Sequence, residues 1–256
     1  ANHHASRSWI GSSRDFGAHA AILVGDFLFS AATAAADEQA LRLDEERARA
    51  FARRFADMHA EVALGQYLDI AAEQTPLDPE RSDVLNVSDA LEVALHKSAH
   101  YSVVHPAILG AICGASTLDD GEALARSLEE ILTPWGLAFQ LRDDDLGVFG
   151  DPAVTGKPAG DDLREGKRTV LLALTWEASS PAERSALTEV LGVAEASPER
   201  LSAATRIVEA NGRAPHEAEI ARLVADGHAA LEASSFDDGA RAMLRELCAI
   251  LTARRA

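Results

Sequence analysis

Three consecutive aspartates, Asp143, Asp144 and Asp145, interrupt an apolar run near the middle of the chain. Leu137, Ala138 and Phe139 precede them, and Leu146, Val148 and Phe149 follow, so the segment reads as a core-facing helix. Carboxylates packed this tightly repel one another, and burying them unpaired is costly. A divalent cation removes both problems. Hard carboxylate oxygens suit Mg2+, and Mg2+ usually carries phosphate with it.

On a helix, Gln140, Asp144, Gly147 and Asp151 share one stripe, with Asp143 beside it. The amide donates to an anion, the carboxylates hold a cation and the glycine leaves space. Just beyond lies the loop Thr155-Gly156-Lys157-Pro158, and Lys167 follows ten residues after Lys157. Lysine is a compact point charge suited to gripping phosphate oxygens. The bland alternative is a solvated acidic helix end paired to Arg142.

The composition makes these lysines conspicuous. Formal net charge is -17, which argues against nucleic acid or an anionic membrane as partner. Hydrophobic residues make up 47% of the 256 residues and aromatics only 5%, so the apolar content is mostly Ala and Leu and favours helix over strand. Glycine and proline clusters divide the chain into about nine helices with no convincing strand. One example of the helical spacing is Leu124, Leu128, Ile131, Leu132, Trp135 and Phe139. An Asp162–Glu165 capping box is expected to start the helix after the lysine loop, and Ser180 and Ser197 each precede a proline at a first helical position. Cys113 and Cys248 form no metal spacing and read as buried thiols in a reducing compartment. The stretch from Ala18 to Ala36 has membrane-spanning length, but Asp26 near its centre costs roughly 2.5–3.5 kcal/mol in a bilayer. A buried core helix in a soluble, cytoplasmic protein is the expectation.

Further segments carry polar groups on helical faces. Lys97, Ser98 and Tyr101 can all donate to an anion, and Gln66 and Asp69 are i,i+3 neighbours in another apolar helix. His96 and His100 have metal-ligand spacing, but no third ligand stands near them in the sequence and there is no HExxH, so they read as solvated or hydrogen-bonding histidines. No Walker A pattern, GxGxxG after a strand or Gly-x-Ser-x-Gly elbow occurs.

Together these segments resemble the trans-type isoprenyl diphosphate synthases. Phe139 to Asp144, through Lys157, Asp161 and Lys167 to Thr169, is similar to their second aspartate-rich motif and lysine loop. Lys97 to Tyr101 resembles their Lys-Thr-x-x-Tyr helix and Gly65 to Asp69 their Gly-Gln-x-x-Asp helix; Phe16 to Asp26 resembles the stretch after their first motif. The resemblance implies an all-α, single-domain bundle of isoprenoid synthase type around a central cavity, covering residues 1–256. It implies a homodimer that condenses an allylic diphosphate with isopentenyl diphosphate into a longer (E)-prenyl diphosphate, geranylgeranyl or farnesyl in length. Asp143, Asp144 and Asp161 would serve Mg2+, and Gln66, Asp69, Lys97, Ser98, Tyr101, Gln140, Lys157 and Lys167 would surround substrate. Lys97, Asp143, Asp144 and Lys157 would carry the catalysis.

The family's first Asp-Asp-x-x-Asp, with its N-terminal helices, has no counterpart here, and Gly147 stands where a strict second motif has its last aspartate. A chain missing its beginning is the expected explanation. Two other readings stay open: a non-catalytic partner subunit of a complete synthase, and a class I terpene cyclase.

Overall fold

The computed structural model describes residues 2–150 and 160–252, and every regular element among them is helical. Asp151 and the loop holding Lys157 lie outside the described residues. The chain divides into two compact units, 1–55 and 56–256, with the boundary inside one long helix.

In the first unit, α1 (Asn2–Ser6) leads through Gly11, at φ 92°, into α2 (Ser13–Ala40). Ser12 caps α2 by accepting from the Asp15 N–H at 3.2 Å. The Trp9 and Phe16 rings meet edge-on at 5.4 Å, and the His4 ring lies against both. None of the residues of α2 is buried. Ile22, Leu23, Val24, Phe27, Leu28 and Phe29 are each more than half exposed. This corrects the buried-core reading of residues 18–36. Alanine-rich periodicity marks a helix but not which neighbour covers it. By length and composition alone, α2 could also cross a membrane.

The second unit begins within α3 (Glu45–Gln74). The chain then forms α4 (Val87–Ala94), which runs on through a π-helical segment (Leu95–Val104) into α5 (His105–Gly114). Its wider ring is visible where the His105 N–H reaches back five residues to the His100 carbonyl. The centre is α6 (Leu118–Phe149), capped by Thr117 and packed by α5 and the π segment. Short α7 (Asp161–Glu165) is followed by α8 (Val170–Ala178), α9 (Pro181–Thr188), α10 (Pro198–Ile207), α11 (Arg213–Ala233) and α12 (Asp238–Thr252). α11 and α12 also pack on α6.

The expected serine–proline starts are present. Ser180 and Glu183 form a reciprocal capping box, and Ser197 accepts from the Arg200 N–H at 3.3 Å. The Asp162 capping box is not formed. Gly160, at φ 73°, precedes α7, so Asp162 is already inside the helix and its side chain is released for other work.

The core holds Leu141, Leu171, Leu172, Leu187 and Trp176, all essentially inaccessible. Each large buried side chain contributes about 1.5–3 kcal/mol. The two buried indoles satisfy their N–H groups on carbonyls: Trp135 on Val224 at 3.2 Å and Trp176 on Arg81 at 2.9 Å. Cys248 is buried as expected, whereas Cys113 is only partly covered.

Candidate diphosphate and metal site

α3, α4, the π segment, α6 and the chain entering α8 enclose a cavity of about 370 Å³. Sequence reasoning singled out ten site residues within the described residues, and the structure brings nine of them to this cavity: Gln66, Asp69, Lys97, Ser98, Tyr101, Gln140, Asp143, Asp144 and Lys167 line it, and Asp161 does not.

 Val62, Ala90, Val93 and Ala94 supply an apolar wall.

The tenth residue is a correction. Asp162, not Asp161, lines the cavity, and it is buried. Without the capping role its carboxylate turns inward, where Lys167 donates to it at 3.0 Å. Gly147 makes room for this: a Cβ there would stand 1.9 Å from Asp162 Oδ2. The adjacent pair Asp161-Asp162 hid the choice, because spacing alone does not tell which of two neighbours faces inward. Ser102 and Arg168 also line the cavity and were not singled out. Arg168 follows Lys167 directly, and its guanidinium donates to the Gly166 carbonyl at 2.7 Å.

Four carboxylates, on Asp69, Asp143, Asp144 and Asp162, thus face three cations, on Lys97, Lys167 and Arg168. Lys97 pairs with Asp69 across two helices, and Lys167 pairs with both Asp162 and Glu165. Burial lowers the affinity of Lys167 for its proton, but the Asp162 and Glu165 carboxylates outweigh it and raise the pKa, so the ammonium stays charged. Asp144 differs. Gln140 donates to it at 2.8 Å. Burial, helped by the neighbouring Asp162 and Asp143 charges, pushes its pKa up to about 8. A buried carboxylate that resists ionisation beside other carboxylates is chemically suited to a hard dication, and oxygen donors are what Mg2+ takes.

Asp145 points elsewhere. It accepts from Arg142 at 3.1 Å and lies 3.4 Å from Nδ1 of the buried His216. Arg142 also binds Glu217 through both terminal nitrogens. The pairing to Arg142 proposed for an acidic helix end is therefore real, but it belongs to Asp145, and α11 supplies the further partners His216 and Glu217.

Other groups of ligand type lie outside the cavity lining. Glu61, His96 and His100 bring three potential donor atoms within 4.8 Å of one another. The third group, absent beside the histidines in sequence, comes from α3, 35 residues before His96.

The chain matches the family described as polyprenyl synthetase over residues 7–208. It is 32% identical over 204 residues to a geranylfarnesyl diphosphate synthase of Aeropyrum pernix, covering 79% of this chain and 59% of that protein. It is 31% identical over 246 residues to a (2E,6E)-farnesyl diphosphate synthase of Mycobacterium bovis, covering 92% of this chain and 62% of that protein. The chain thus spans about three fifths of the length of these relatives. A geranylgeranyl pyrophosphate synthase of Corynebacterium glutamicum, solved with isoprenyl diphosphate and magnesium, superposes with a TM-score of 0.84 at 37% identity, over 99% of this chain and 68% of that one. With the helical fold, the acidic and lysine-lined cavity and these matches in agreement, the chain belongs to the polyprenyl synthetase family.

Proposed function

We propose that this protein is a Mg2+-dependent trans-prenyltransferase that joins an allylic diphosphate to isopentenyl diphosphate, giving a longer (E)-prenyl diphosphate. The observation that carries this reading is one cavity combining Asp143, Asp144 and Asp162 with Lys97, Lys167 and an apolar wall. The relatives named above, two called diphosphate synthases and one solved with an isoprenyl diphosphate, support the substrate class.

Asp143, Asp144 and Asp162 would hold Mg2+, in place of the Asp143, Asp144 and Asp161 set expected from sequence. When bound, Mg2+ supplies positive charge that stabilises the diphosphate as a leaving group. The protein's own groups do the rest. Lys97 and Lys167 each have three N–H donors, so each can keep its carboxylate and still grip a phosphate oxygen. Ser98 and Tyr101 offer hydroxyl donors beside them. Lys157 is placed at the same diphosphate by resemblance. Gln140 holds the Asp144 carboxylate in position. Val62, Ala90, Val93 and Ala94 would shield an allylic cation from water. No side-chain nucleophile is required, because the alkene of isopentenyl diphosphate attacks carbon and the departing diphosphate can take the proton.

Geranylgeranyl or farnesyl length, cytoplasmic location and a homodimer belong to the same reading. The exposed apolar residues of α2 support the dimer, since a second copy would remove them from water. The test is incubation of the protein with Mg2+, isopentenyl diphosphate and dimethylallyl, geranyl or farnesyl diphosphate. A linear, elongated diphosphate is expected. A cyclic hydrocarbon without elongation would identify a terpene cyclase instead, and activity only on adding a complete synthase would identify a partner subunit.

A further inference from the structure

α3 meets the π segment along residues four apart. Asp69 pairs with Lys97. Gly65 lies against backbone, where a Cβ would come within 2.4 Å of the Lys97 nitrogen. One turn earlier, Glu61 meets three histidines. Its Oε1 lies 2.6 Å from Nδ1 of His96 and of His100, and its Oε2 lies 2.6 Å from Nε2 of His105.

The π geometry explains why three rings converge. His96 and His105 are nine residues apart, two and a half turns of an α-helix, which would put them on opposite faces. The i→i+5 pattern adds almost a residue to each turn, so nine residues close on two turns and return to the same face. Burial alone would raise the pKa of Glu61, but hydrogen bonds from His105, His100 and His96 outweigh it and bring it down to about 2. Glu61 is therefore a fixed anion ringed by nitrogen bases, and none of the four residues lines the diphosphate cavity.

We propose that Glu61 Oε1, His96 Nδ1 and His100 Nδ1 hold a divalent transition ion of the zinc type, at a site distinct from the cavity carboxylates, and that this ion ties α3 to the π segment. The three atoms lie within 4.8 Å of one another. Zinc bonds of about 2.0–2.2 Å bridge them once Oε1 draws back slightly from the rings. Two imidazoles with one carboxylate suit zinc, cobalt or nickel, whereas Mg2+ takes oxygen ligands.

The protons balance without loss. In the hydrogen-bonded arrangement each ring, taken as neutral, directs its Nδ1–H at Oε1, because a carboxylate oxygen only accepts. To ligate, each ring moves that proton to Nε2 and offers the Nδ1 lone pair. For His96 an acceptor is at hand, because Glu92 Oε1 stands 3.9 Å from its Nε2. His105 stays off the ion and donates to Oε2, fixing the rotation of Glu61.

The test uses chelator-stripped protein in millimolar Mg2+, which occupies hard carboxylate sites, titrated with Zn2+ or Co2+. One equivalent should bind, the Co2+ form should show visible d–d bands, and Zn2+ X-ray absorption should show two imidazole nitrogens. His96→Ala with His100→Ala should weaken this binding more than tenfold, and His105→Gln should weaken it less. Asp144→Asn should leave it intact. The proposal is overturned if no equivalent binds in Mg2+, if the wild-type absorption spectrum shows oxygen ligands only, or if the double histidine variant binds as tightly as wild type. The wild-type spectrum decides the matter even where the double variant does not fold.

Discussion

Asp144 and Asp145 are chain neighbours on α6 and equally inaccessible, at 6% and 7% exposure, yet their environments are opposite. Asp144 faces the cavity, where burial and the Asp162 and Asp143 charges outweigh the Gln140 amide and the Lys97 ammonium and raise its pKa to about 8. Asp145 faces the helices behind. There burial is outweighed by His216 and Arg142, and its pKa falls below the ordinary carboxylate value. The fold supplies Asp145 with enough positive charge to offset its burial and Asp144 with too little. The difference marks Asp145 as a structural acid and Asp144 as the candidate ligand without reference to any relative.

Removing charge at each position should break that symmetry in opposite directions. In Asp144→Asn the isosteric amide keeps the volume and loses an oxygen proposed to bind the metal. We expect turnover to fall about 10²–10³-fold, with thermal stability unchanged or raised in the absence of Mg2+. A variant with normal turnover and normal Mg2+ dependence would place the metal elsewhere. Asp145→Asn should do the reverse. It strips a charged partner from Arg142 and His216, costing about 1–3 kcal/mol of stability by denaturant unfolding, while kcat/KM stays close to wild type. A stable but inactive Asp145→Asn protein would show that the two acids act as one site.

The sequence made much of this visible for a physical reason. Carboxylates and lysines placed within apolar helical runs are expensive unless something pays for them, so Asp143, Asp144, Lys97 and Asp69 stood out against their flanks, and the structure gathers them in one cavity. What stayed hidden depends on orientation and on distant neighbours. Choosing Asp162 over Asp161 requires knowing that Gly160 takes a left-handed φ and starts α7 two residues early. The Glu61 cluster depends on a π-helical register that a 3.6-residue period does not reveal. The exposure of α2 depends on what covers a helix, which its alanine-rich pattern does not state.

Acidity offers a smaller test of the same contrast. The folded-state pKa of Asp144 is raised from 3.8 to about 8, so between those values the folded protein holds a proton that the unfolded chain has released. Stability without metal should therefore decline as pH rises through that window, by at most about 1.4 kcal/mol per pH unit. Asp145, with its pKa lowered, contributes stability above the ordinary carboxylate range that is lost as pH falls through its folded value. Mg2+ bound at Asp144 would displace its proton and should flatten the first slope while leaving the second. Unfolding midpoints measured across pH in chelator and in Mg2+ check this, and identical slopes in both would remove Asp144 from the metal site.

The smallest expected effect comes from Gly147→Ala. Alanine favours a helix by about 0.8–1.0 kcal/mol over glycine, which offsets part of the local strain. Its methyl group would lie 1.9 Å from Asp162 Oδ2 and 2.3 Å from Cγ, so the carboxylate has to swing away and give up its 3.0 Å contact with Lys167. Stability should therefore change little, while KM for the allylic diphosphate rises severalfold, because the displaced side chain takes a proposed metal ligand with it and leaves Lys167 with Glu165, at 3.0 Å, as its carboxylate partner among the described residues. If KM and Mg2+ dependence both stay at wild-type values, Asp162 contributes packing rather than binding, and the cavity's cation is held by Asp143 and Asp144 without it.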